Sequence, residues 1–387
     1  MKTLFFITLF LVFYTYIGYA ILITILNGIK KMLRPLKIYS KDPEHSITLI
    51  VPCYNEGDFM EEKLKNTLQL KYPKELLEII FITDGTDDHS LDIVKNYTDQ
   101  LIWMHSDERK GKAAAMNRAV DHAKHDILVF CDANTYINKD ALYEISAPYK
   151  NPKVGAVSGE KRIIQKDKDH TSSAGEGLYW KYESWLKRMD SEFSTLVGAA
   201  GELMSYRKAY YNHIPEDSIL DDFMASMDMA MKGYKVVYTP KAYAMETASA
   251  NIAEEWKRKV RIAAGGWQSM TRLWKALIPI PNPILTFMYL SHRAFRWSVA
   301  PIGLVLLLLL NLPLAIIQPA PFVYLLIGQI LFYLIAAYGY AQDKKGKKSK
   351  VAYIPYYFTF MNVAVLAGII RFFKGQQKAT WERAKRA

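Results

Sequence analysis

The sequence predicts an α/β domain enclosed between apolar helices that are long enough to cross a membrane. An uncharged stretch opens the chain, short apolar runs alternate with helix-like segments from Ile47 to Lys275, and uncharged stretches return after Leu277. Such alternation predicts a mostly parallel sheet covered by helices on both faces. Functional side chains are then expected beyond the carboxyl ends of the strands, where such sheets bind ligands.

Residues 1–29 are predicted to form an N-terminal transmembrane helix. No charged residue occurs from Thr3 to Ile29, and this length is sufficient to cross a bilayer. A cleaved signal peptide would have a shorter apolar core, preceded by its basic cluster. Here the basic residues follow, in a linker at 30–46, which predicts that the next domain lies in the cytoplasm.

Composition narrows the class of partner. The chain has 387 residues, of which 51% are hydrophobic, and a formal net charge of +12. Basic residues beside apolar spans are typical of contact with anionic membrane lipid. No aromatic-interleaved basic patch occurs, so a nucleic-acid partner is not expected. The only cysteines, Cys53 and Cys131, predict two reduced core thiols and exclude a disulfide framework or a zinc site.

The middle of the chain, residues 47–275, contains the predicted α/β domain. Four apolar runs predict buried strands at 47–52, 78–84, 126–132 and 154–159. Four segments predict the helices between them, at 58–70, 90–97, 112–124 and 139–149.

The C-terminal part returns to membrane character. Residues 276–296 are predicted to form an interfacial or re-entrant segment, because the stretch from Leu277 to Leu290 is apolar but holds three prolines. About three transmembrane segments are predicted within 297–372. The basic linker at 343–350 is expected in the cytoplasm, whereas three full spans would leave the basic tail, 373–387, outside. One segment lying along the membrane surface would remove this conflict.

Two strand ends carry candidate nucleotide contacts. The first strand runs into Pro52, Tyr54 and Glu56, a short polar loop before a helix. The second ends at Asp84, which can accept hydrogen bonds from a nucleotide. A proline-containing turn and helix N-caps at Asp87 or Asp88 are the structural alternatives.

Further along, a helix opens at Lys112 within a basic group, an arrangement that attracts anions, although a solvated basic turn is equally compatible. Asp132 and Asn134 follow the third apolar strand. Two oxygen side chains at this spacing can hold Mg²⁺ or Mn²⁺ together with diphosphate oxygens. Such a pair also occurs in ordinary turns.

The last candidates belong to two predicted helices. Asp221 and Asp222 open one helix, where the helix dipole favours acidic residues, and a carboxylate here can also be a general base. Arg258 and Arg261 are three apart on one face of a cationic helix. Arginines grip phosphate oxygens in pairs, and a basic juxtamembrane helix is the compatible alternative.

Taken together in this order, these motifs resemble family 2 glycosyltransferases, in particular the membrane-bound group of cellulose, hyaluronan and poly-N-acetylglucosamine synthases. The resemblance covers roughly Ile47 to Gln268. It implies a GT-A fold, an inverting transfer from a nucleotide-diphosphate sugar such as a UDP-sugar, and a divalent metal, Mg²⁺ or Mn²⁺. It also implies a bacterial-type inner-membrane enzyme that acts on a glycan or lipid acceptor in exopolysaccharide or cell-surface glycan synthesis.

The same resemblance assigns donor-side roles. It places Pro52, Tyr54 and Glu56 near the nucleotide, with Asp84 as the uridine-binding aspartate and Lys112 as a donor-site lysine. Asp132-Ala133-Asn134 matches the metal-binding Asp-x-Asp motif, except that asparagine replaces the second aspartate. Asp132 is therefore expected to dominate the metal site.

On the acceptor side, the segment 198–207 is similar to the family's glycine-rich acceptor segment and carries Gly201 and Glu202. Residues 220–222 match Thr-Glu-Asp, which makes Asp222 the expected base beside Asp221.

Residues 258–262 fall at the family's Gln-x-x-Arg-Trp motif. Arg261 keeps the arginine, Arg258 replaces the glutamine and Ile262 replaces the tryptophan. Since that tryptophan seats the acceptor chain in processive enzymes, its absence puts processivity in doubt, and Trp267 is the candidate substitute.

Three functions remain to be separated: a polysaccharide synthase, an enzyme that adds one sugar to a membrane lipid, and a transporter or scaffold without chemistry. Transporters bury polar groups within their spans, whereas the polar motifs here lie between the spans. This favours an enzyme. The sequence names neither the sugar nor the acceptor.

Overall fold

In the part of the chain that the structure describes, four helices are long and apolar enough to cross a membrane: Lys2–Leu33, Val299–Ile317, Pro319–Lys344 and Tyr353–Phe373. The computed structural model describes residues 1–33, 45–164, 171–247, 251–347, 349 and 351–379. Most of the predicted linker at 30–46 and the end of the predicted tail at 373–387 lie outside these residues. The N-terminal helix continues to Leu33, so Lys30 and Lys31 belong to its last turn.

Fourteen α-helices are assigned within the described residues. They are α1 Lys2–Phe13, α2 Tyr19–Leu33, α3 Gly57–Leu68, α4 Ser90–Lys95, α5 Lys112–His122, α6 Ala141–Ser146, α7 Thr171–Phe193, α8 Asp221–Met231, α9 Ile252–Arg272, α10 Pro283–Tyr289, α11 Phe295–Trp297, α12 Val299–Ile317, α13 Pro319–Lys344 and α14 Tyr353–Phe373. Short π-helical segments, Tyr14–Gly18 and Leu290–Ala294, join α1 to α2 and α10 to α11.

The same region contains one eight-stranded sheet. Its strands are β1 Ile47–Cys53, β2 Leu77–Asp84, β3 Ile102–Ser106, β4 Ile127–Cys131, β5 Tyr136–Ile137, β6 Val154–Ile164, β7 Leu203–Arg207 and β8 Lys235–Thr247. Their order across the sheet is β3-β2-β1-β4-β7-β6-β8-β5.

The four predicted strands are present, but the expectation of a mostly parallel sheet needs correction. The half β3-β2-β1-β4 is parallel, whereas β7 pairs antiparallel with both β4 and β6, and β5 pairs antiparallel with β8. The sheet is therefore mixed. The reversal at β7 places its first residue, Leu203, opposite Cys131 at the end of β4. It thereby brings the glycine-rich segment before β7 to the ends of the parallel strands.

Along the central strands, successive apolar side chains point to opposite faces of the sheet and fill a core on each face. Ile50 of β1 packs in a cluster with residues of α5, α8 and α10, whereas Leu49 and Val51 pack in a second cluster with residues of α3 and α6. This confirms that helices cover both faces. The core residues of α10 and α11, among them Met288 and Trp297, join the first cluster. The predicted interfacial segment at 276–296 thus packs on the α/β domain, and its position relative to a membrane stays a prediction.

Candidate active site

The loops after β1 and β2 are tied together at one edge of the sheet. Asn55 adopts a left-handed conformation, φ 51°, and its side chain both donates to Asp87 Oδ1 and accepts from the Asp87 backbone N–H. The Gly57 N–H, at the start of α3, donates to Asp88 Oδ2 at 2.9 Å. Asp87 and Asp88 therefore fasten the first loop to the second, beside the predicted donor residues.

Tyr54 provides a flat surface in this loop. The guanidinium carbon of Arg109 lies 3.6 Å from the centroid of the Tyr54 ring. An aromatic ring with a stacked guanidinium is a surface on which a nucleobase can stack. Pro52 is half-buried at the end of β1, and Glu56 is buried at the start of α3.

Asp84 holds the neighbouring loop. Its Oδ2 accepts from the Gly111 N–H at 2.6 Å and its Oδ1 accepts from Arg118 at 3.0 Å. Gly85, at φ +63°, packs so closely that a Cβ there would lie 2.4 Å from Arg109 Cβ. Both oxygens of Asp84 thus bind protein donors, which positions Arg109 and the start of α5. Its predicted contact with the nucleotide stays a prediction.

Lys112, the first residue of α5, joins two of the predicted acidic residues. Its Nζ donates to Asp132 Oδ1 at 2.7 Å and lies 3.4 Å from Asp221 Oδ2. Burial lowers the pKa of the ammonium, but these two carboxylates outweigh it, and the net effect is a raised pKa. Lys112 is therefore a fixed positive charge at the place where the end of β4 meets the starts of α5 and α8.

Asp222 joins Lys112, Asp132 and Asp221 in one group of charged side chains, called the charged cluster below. Burial, the neighbouring Asp221 carboxylate and the charge of Glu202 raise the pKa of Asp222 to about 7, although Lys112 opposes them. A carboxyl that titrates near neutral pH can accept a proton there. A Cβ added to Gly201 would lie 3.2 Å from Asp222 Oδ2, so the glycine-rich segment passes directly beside this carboxylate.

Glu202 is the next member of this acidic group. Its Oε1 pairs with Lys161 Nζ at 2.5 Å. Burial alone would raise the pKa of Glu202, but Lys161 overcomes it and lowers the pKa to about 2. Glu202 therefore stays ionised beside Asp222 and Asp132. Lys161 was not among the predicted site residues. Its signal in the sequence is that a lysine follows closely on the apolar run of β6.

Arg261, on α9, adds a second cation to the charged cluster. Its guanidinium donates to the Ile219 carbonyl at 3.0 Å and is close enough for Asp221, Asp222 and Asp132 to act on its charge. Burial lowers its pKa, and the three carboxylates oppose that effect. The structure thus brings together Lys112, Asp132, Asp221, Asp222 and Arg261.

Arg258 and Trp267, also predicted site residues on α9, have other neighbours. Arg258 lies 2.8 Å from Glu255 and 3.5 Å from Glu246 in a buried ion-pair cluster. The Trp267 indole N–H donates to the Trp297 carbonyl at 2.7 Å, and its ring packs against two phenylalanines of α14. Both therefore connect α9 to adjacent elements, and their predicted contacts with donor and acceptor stay predictions.

The turn after β4 has the chemistry of a divalent cation site. Asp132 and the half-buried Asn134 offer carboxylate and amide oxygens, the ligands that Mg²⁺ and Mn²⁺ prefer. In the part of the chain that the structure describes, no three or more His, Cys, Asp or Glu side chains group so as to hold a metal. These two residues therefore fit an ion that takes its remaining ligands from a bound diphosphate.

Residues 48–214 match the family model described as glycosyl transferase family 2. This part of the chain is similar to that family. The matched range includes the donor loop, Lys112, Asp132 and Glu202, whereas Asp222 and Arg261 lie beyond it.

Curated relatives extend this similarity. The poly-beta-1,6-N-acetyl-D-glucosamine synthase of Staphylococcus aureus is 31% identical over 241 residues, which are 60% of this chain and 57% of that protein. The synthase of the same name from Staphylococcus epidermidis is 28% identical over 263 residues, 65% of this chain and 62% of that protein. The chain thus matches somewhat more than half the length of these relatives.

A solved structure supports the fold of the α/β domain and its flanking helices. A mannosyltransferase from Pyrobaculum calidifontis, in complex with GDP-Man and Mn²⁺, superposes with a TM-score of 0.73 at 21% sequence identity. The superposition covers 97% of this chain and 100% of that one. The predicted GT-A fold with flanking apolar helices is therefore confirmed.

Proposed function

We propose that this chain is an inverting glycosyltransferase that moves a sugar from a nucleotide-diphosphate donor, a UDP-sugar, to an acceptor hydroxyl in exopolysaccharide synthesis. The observation that carries the proposal is that four separate elements bring Lys112, Asp132, Asp222 and Arg261 into one charged cluster. The similarity to family 2 and to the curated polysaccharide synthases supports the same reaction class.

Asp222 is the proposed general base. Its pKa of about 7 allows it to be ionised near neutral pH and still to be basic enough to accept a proton. Asp222 takes the proton of the acceptor hydroxyl while the hydroxyl oxygen attacks the anomeric carbon opposite the leaving nucleotide diphosphate. A single displacement of this kind inverts the configuration at that carbon.

Lys112 and Arg261 act on the leaving group. Both are cations at the edge of the carboxylate cluster, and both are fixed in place by protein acceptors. Preorganised cations stabilise charge that develops on the leaving diphosphate without a cost of reorganisation during the reaction. Glu202, held ionised by Lys161, keeps negative charge beside Asp222 and so keeps its proton affinity high.

Asp132 and Asn134 are the proposed ligands of Mg²⁺ or Mn²⁺. When bound, the ion would neutralise part of the charge of the leaving diphosphate. Because Asp132 Oδ1 already accepts from Lys112, a bound ion would share this carboxylate with the ammonium. Tyr54 with Arg109 supplies the proposed surface for the nucleobase.

The proposed location is a bacterial inner membrane, crossed more than once, with the α/β domain in the cytoplasm. The four long apolar helices and the basic residues at the end of α2 support this orientation. Transfer of a single sugar to a membrane lipid is the alternative. Ile262 favours this alternative, because the Gln-x-x-Arg-Trp motif that the sequence resembles has a tryptophan at this position.

Full-length protein purified in detergent tests the proposal. UDP-, GDP- and dTDP-sugars are supplied with Mg²⁺ or Mn²⁺, nucleotide release is measured, and the product mass is determined. Release of UDP with a sugar-containing product supports the proposal, and a ladder of masses distinguishes a polymer from one transferred sugar. Failure of every nucleotide sugar to react, with folded protein and membrane acceptors present, would refute it.

A further inference from the structure

A lysine lies in the buried stripe of α3. Met60, Lys63, Leu64 and Thr67 recur at helical spacing and are all buried, with Lys63 0% exposed. A stripe at this spacing is ordinarily apolar. An ammonium in this position is stable only where buried acceptors satisfy its N–H groups.

The acceptors of Lys63 are the two ends of the proposed metal turn. Its Nζ donates to the Thr135 carbonyl at 2.7 Å and lies 2.9 Å from Cys131 Sγ. Thr135 in turn donates its hydroxyl to the Asp132 carbonyl at 2.9 Å. The ammonium therefore bridges the residue before Asp132 and the residue after Asn134.

Two further side chains of α3 hold the residues that follow this turn. Asn66 donates to the Ile137 carbonyl at 2.9 Å and accepts from the Ile137 N–H at 3.0 Å. Glu62 accepts from the Tyr136 hydroxyl at 2.6 Å. Because Glu62 is exposed and Asn66 is half-buried, Lys63 is the fully buried part of this connection.

We propose that Lys63 is a positioning residue for the divalent ion: it holds the turn from Cys131 to Thr135 so that Asp132 and Asn134 present their oxygens together. The inference rests on the proposed function. It adds that the first ligand turn is set by α3, the helix that begins at the end of the donor loop. Since Gly57 at the start of α3 is bonded to Asp88, one rigid helix fixes both the nucleobase loop and the metal turn.

The test compares Lys63→Met with Lys65→Met in full-length, detergent-purified protein. Methionine keeps the length and most of the volume of Lys63 and removes its donors. Lys65 lies on the exposed face of the same helix, paired with Glu61, and is the matched control. Binding of Mn²⁺ in the presence of UDP is followed by the loss of the free-ion electron paramagnetic resonance signal. The Mn²⁺ concentration that gives half-maximal transfer is measured in parallel.

We expect Lys63→Met to weaken Mn²⁺ binding at least tenfold, while UDP binding without metal and the behaviour of Lys65→Met stay as in the unaltered protein. A purely structural role would lower the melting temperature or the active fraction and leave the Mn²⁺ affinity of the folded protein unchanged, and that result overturns the inference. If Lys63→Met does not fold, Lys63→Leu, which also removes the N–H donors, is tested by the same readouts against the same two outcomes.

The two proposals fail in different ways. An unaltered protein that transfers no sugar refutes the proposed function. An unaltered protein that transfers sugar and binds Mn²⁺ with UDP, alongside a Lys63→Met variant of equal Mn²⁺ affinity, refutes only the role of Lys63. Transfer without any Mn²⁺ or Mg²⁺ binding also refutes the role of Lys63 and leaves the transferase intact.

Discussion

Substitution of Asp222 by asparagine tests the chemical centre of the proposal. The change removes the proton acceptor and keeps the size of the side chain, including a carbonyl oxygen that can accept from the Phe223 N–H as Asp222 Oδ1 does at 2.8 Å. General-base catalysis contributes about 10²–10⁴-fold to rate. We therefore expect kcat to fall by a factor in this range, with donor binding retained.

The pH dependence of the unaltered enzyme gives the same test a second arm. With a pKa of about 7, Asp222 is ionised in about one-tenth of molecules at pH 6 and in about nine-tenths at pH 8. The rate should rise roughly tenfold between these values and then level off. Asp222→Asn should lose this rising limb together with its activity.

Stability should change in the opposite direction to activity. Because burial raises the pKa of Asp222 in the folded protein, folding takes up a proton at this carboxyl between about pH 4 and pH 7. The associated stability is full below the unfolded-state pKa and is lost as pH rises through about 7. Asp222→Asn removes this loss, so its melting temperature relative to the unaltered protein should be higher at pH 8 than at pH 5.

The assay uses radiolabelled donor, product quantification from pH 5.5 to 9, and donor binding by filter retention. Asp228→Asn is the matched control, since Asp228 lies on the same helix and pairs with Lys232. A variant at Asp222 that keeps more than about one-tenth of the activity, or that keeps the rising limb, would remove this residue from the role of base.

Four further predictions concern residues in the charged cluster and in the loops near it. Tyr54→Ala should raise the Kd for UDP by about 5- to 150-fold in calorimetry, because base stacking on an aromatic ring contributes about 1–3 kcal/mol. Gly201→Ala should lower kcat about tenfold with an unchanged KM for the donor, since the new Cβ would lie 3.2 Å from Asp222 Oδ2. Asp132→Ala should abolish Mn²⁺-dependent binding of UDP, measured with and without metal. Gly85→Ala should cost about 1–3 kcal/mol and lower the melting temperature, because it places a Cβ at φ +63° against Arg109.

The sequence predicted the strands that form continuous apolar runs. β1, β2 and β4 are apolar on both faces, so their runs stand out and their ends were placed within one or two residues. β8 was missed because it alternates buried and half-buried residues and contains Pro240. β3 was missed because it is a short edge strand with two exposed residues, Ile102 and His105.

The candidate site divides in the same way. Lys112, Asp132 and Asp222 follow strand ends or open helices, positions that sequence pattern can locate, and the structure brings them together. Lys161 and Lys63 lie inside elements, so only their three-dimensional partners reveal a role. The stripe at Met60, Leu64 and Thr67 did hold a signal, because Lys63 interrupts an otherwise buried face of α3.

A chain of buried charged side chains connects the charged cluster to one of the long apolar helices, α14. Ion pairs and a hydrogen bond link Glu202 at the site to α14 through the following residues in order: Lys161, Glu246, Arg258, Glu255 and Tyr357. Removing one partner from such a chain leaves an uncompensated buried charge, which costs about 3–5 kcal/mol. The position of α14 relative to Glu202 is therefore strongly specified.

A second connection leads from α2 to the glycine-rich segment. The Tyr19 hydroxyl donates to Asp190 Oδ1, and Asp190 Oδ2 lies 2.5 Å from His292 Nδ1. Next to His292, Arg293 donates to the carbonyl of Gly198, where the acceptor segment begins. Because Gly198 needs φ +75° and the ring of Phe223 fills the space beside it, this segment has one available path. Apolar packing alone would let the helices slide, since lipid and helix surfaces are equally apolar. The buried polar contacts therefore fix where the long apolar helices stand relative to Asp222.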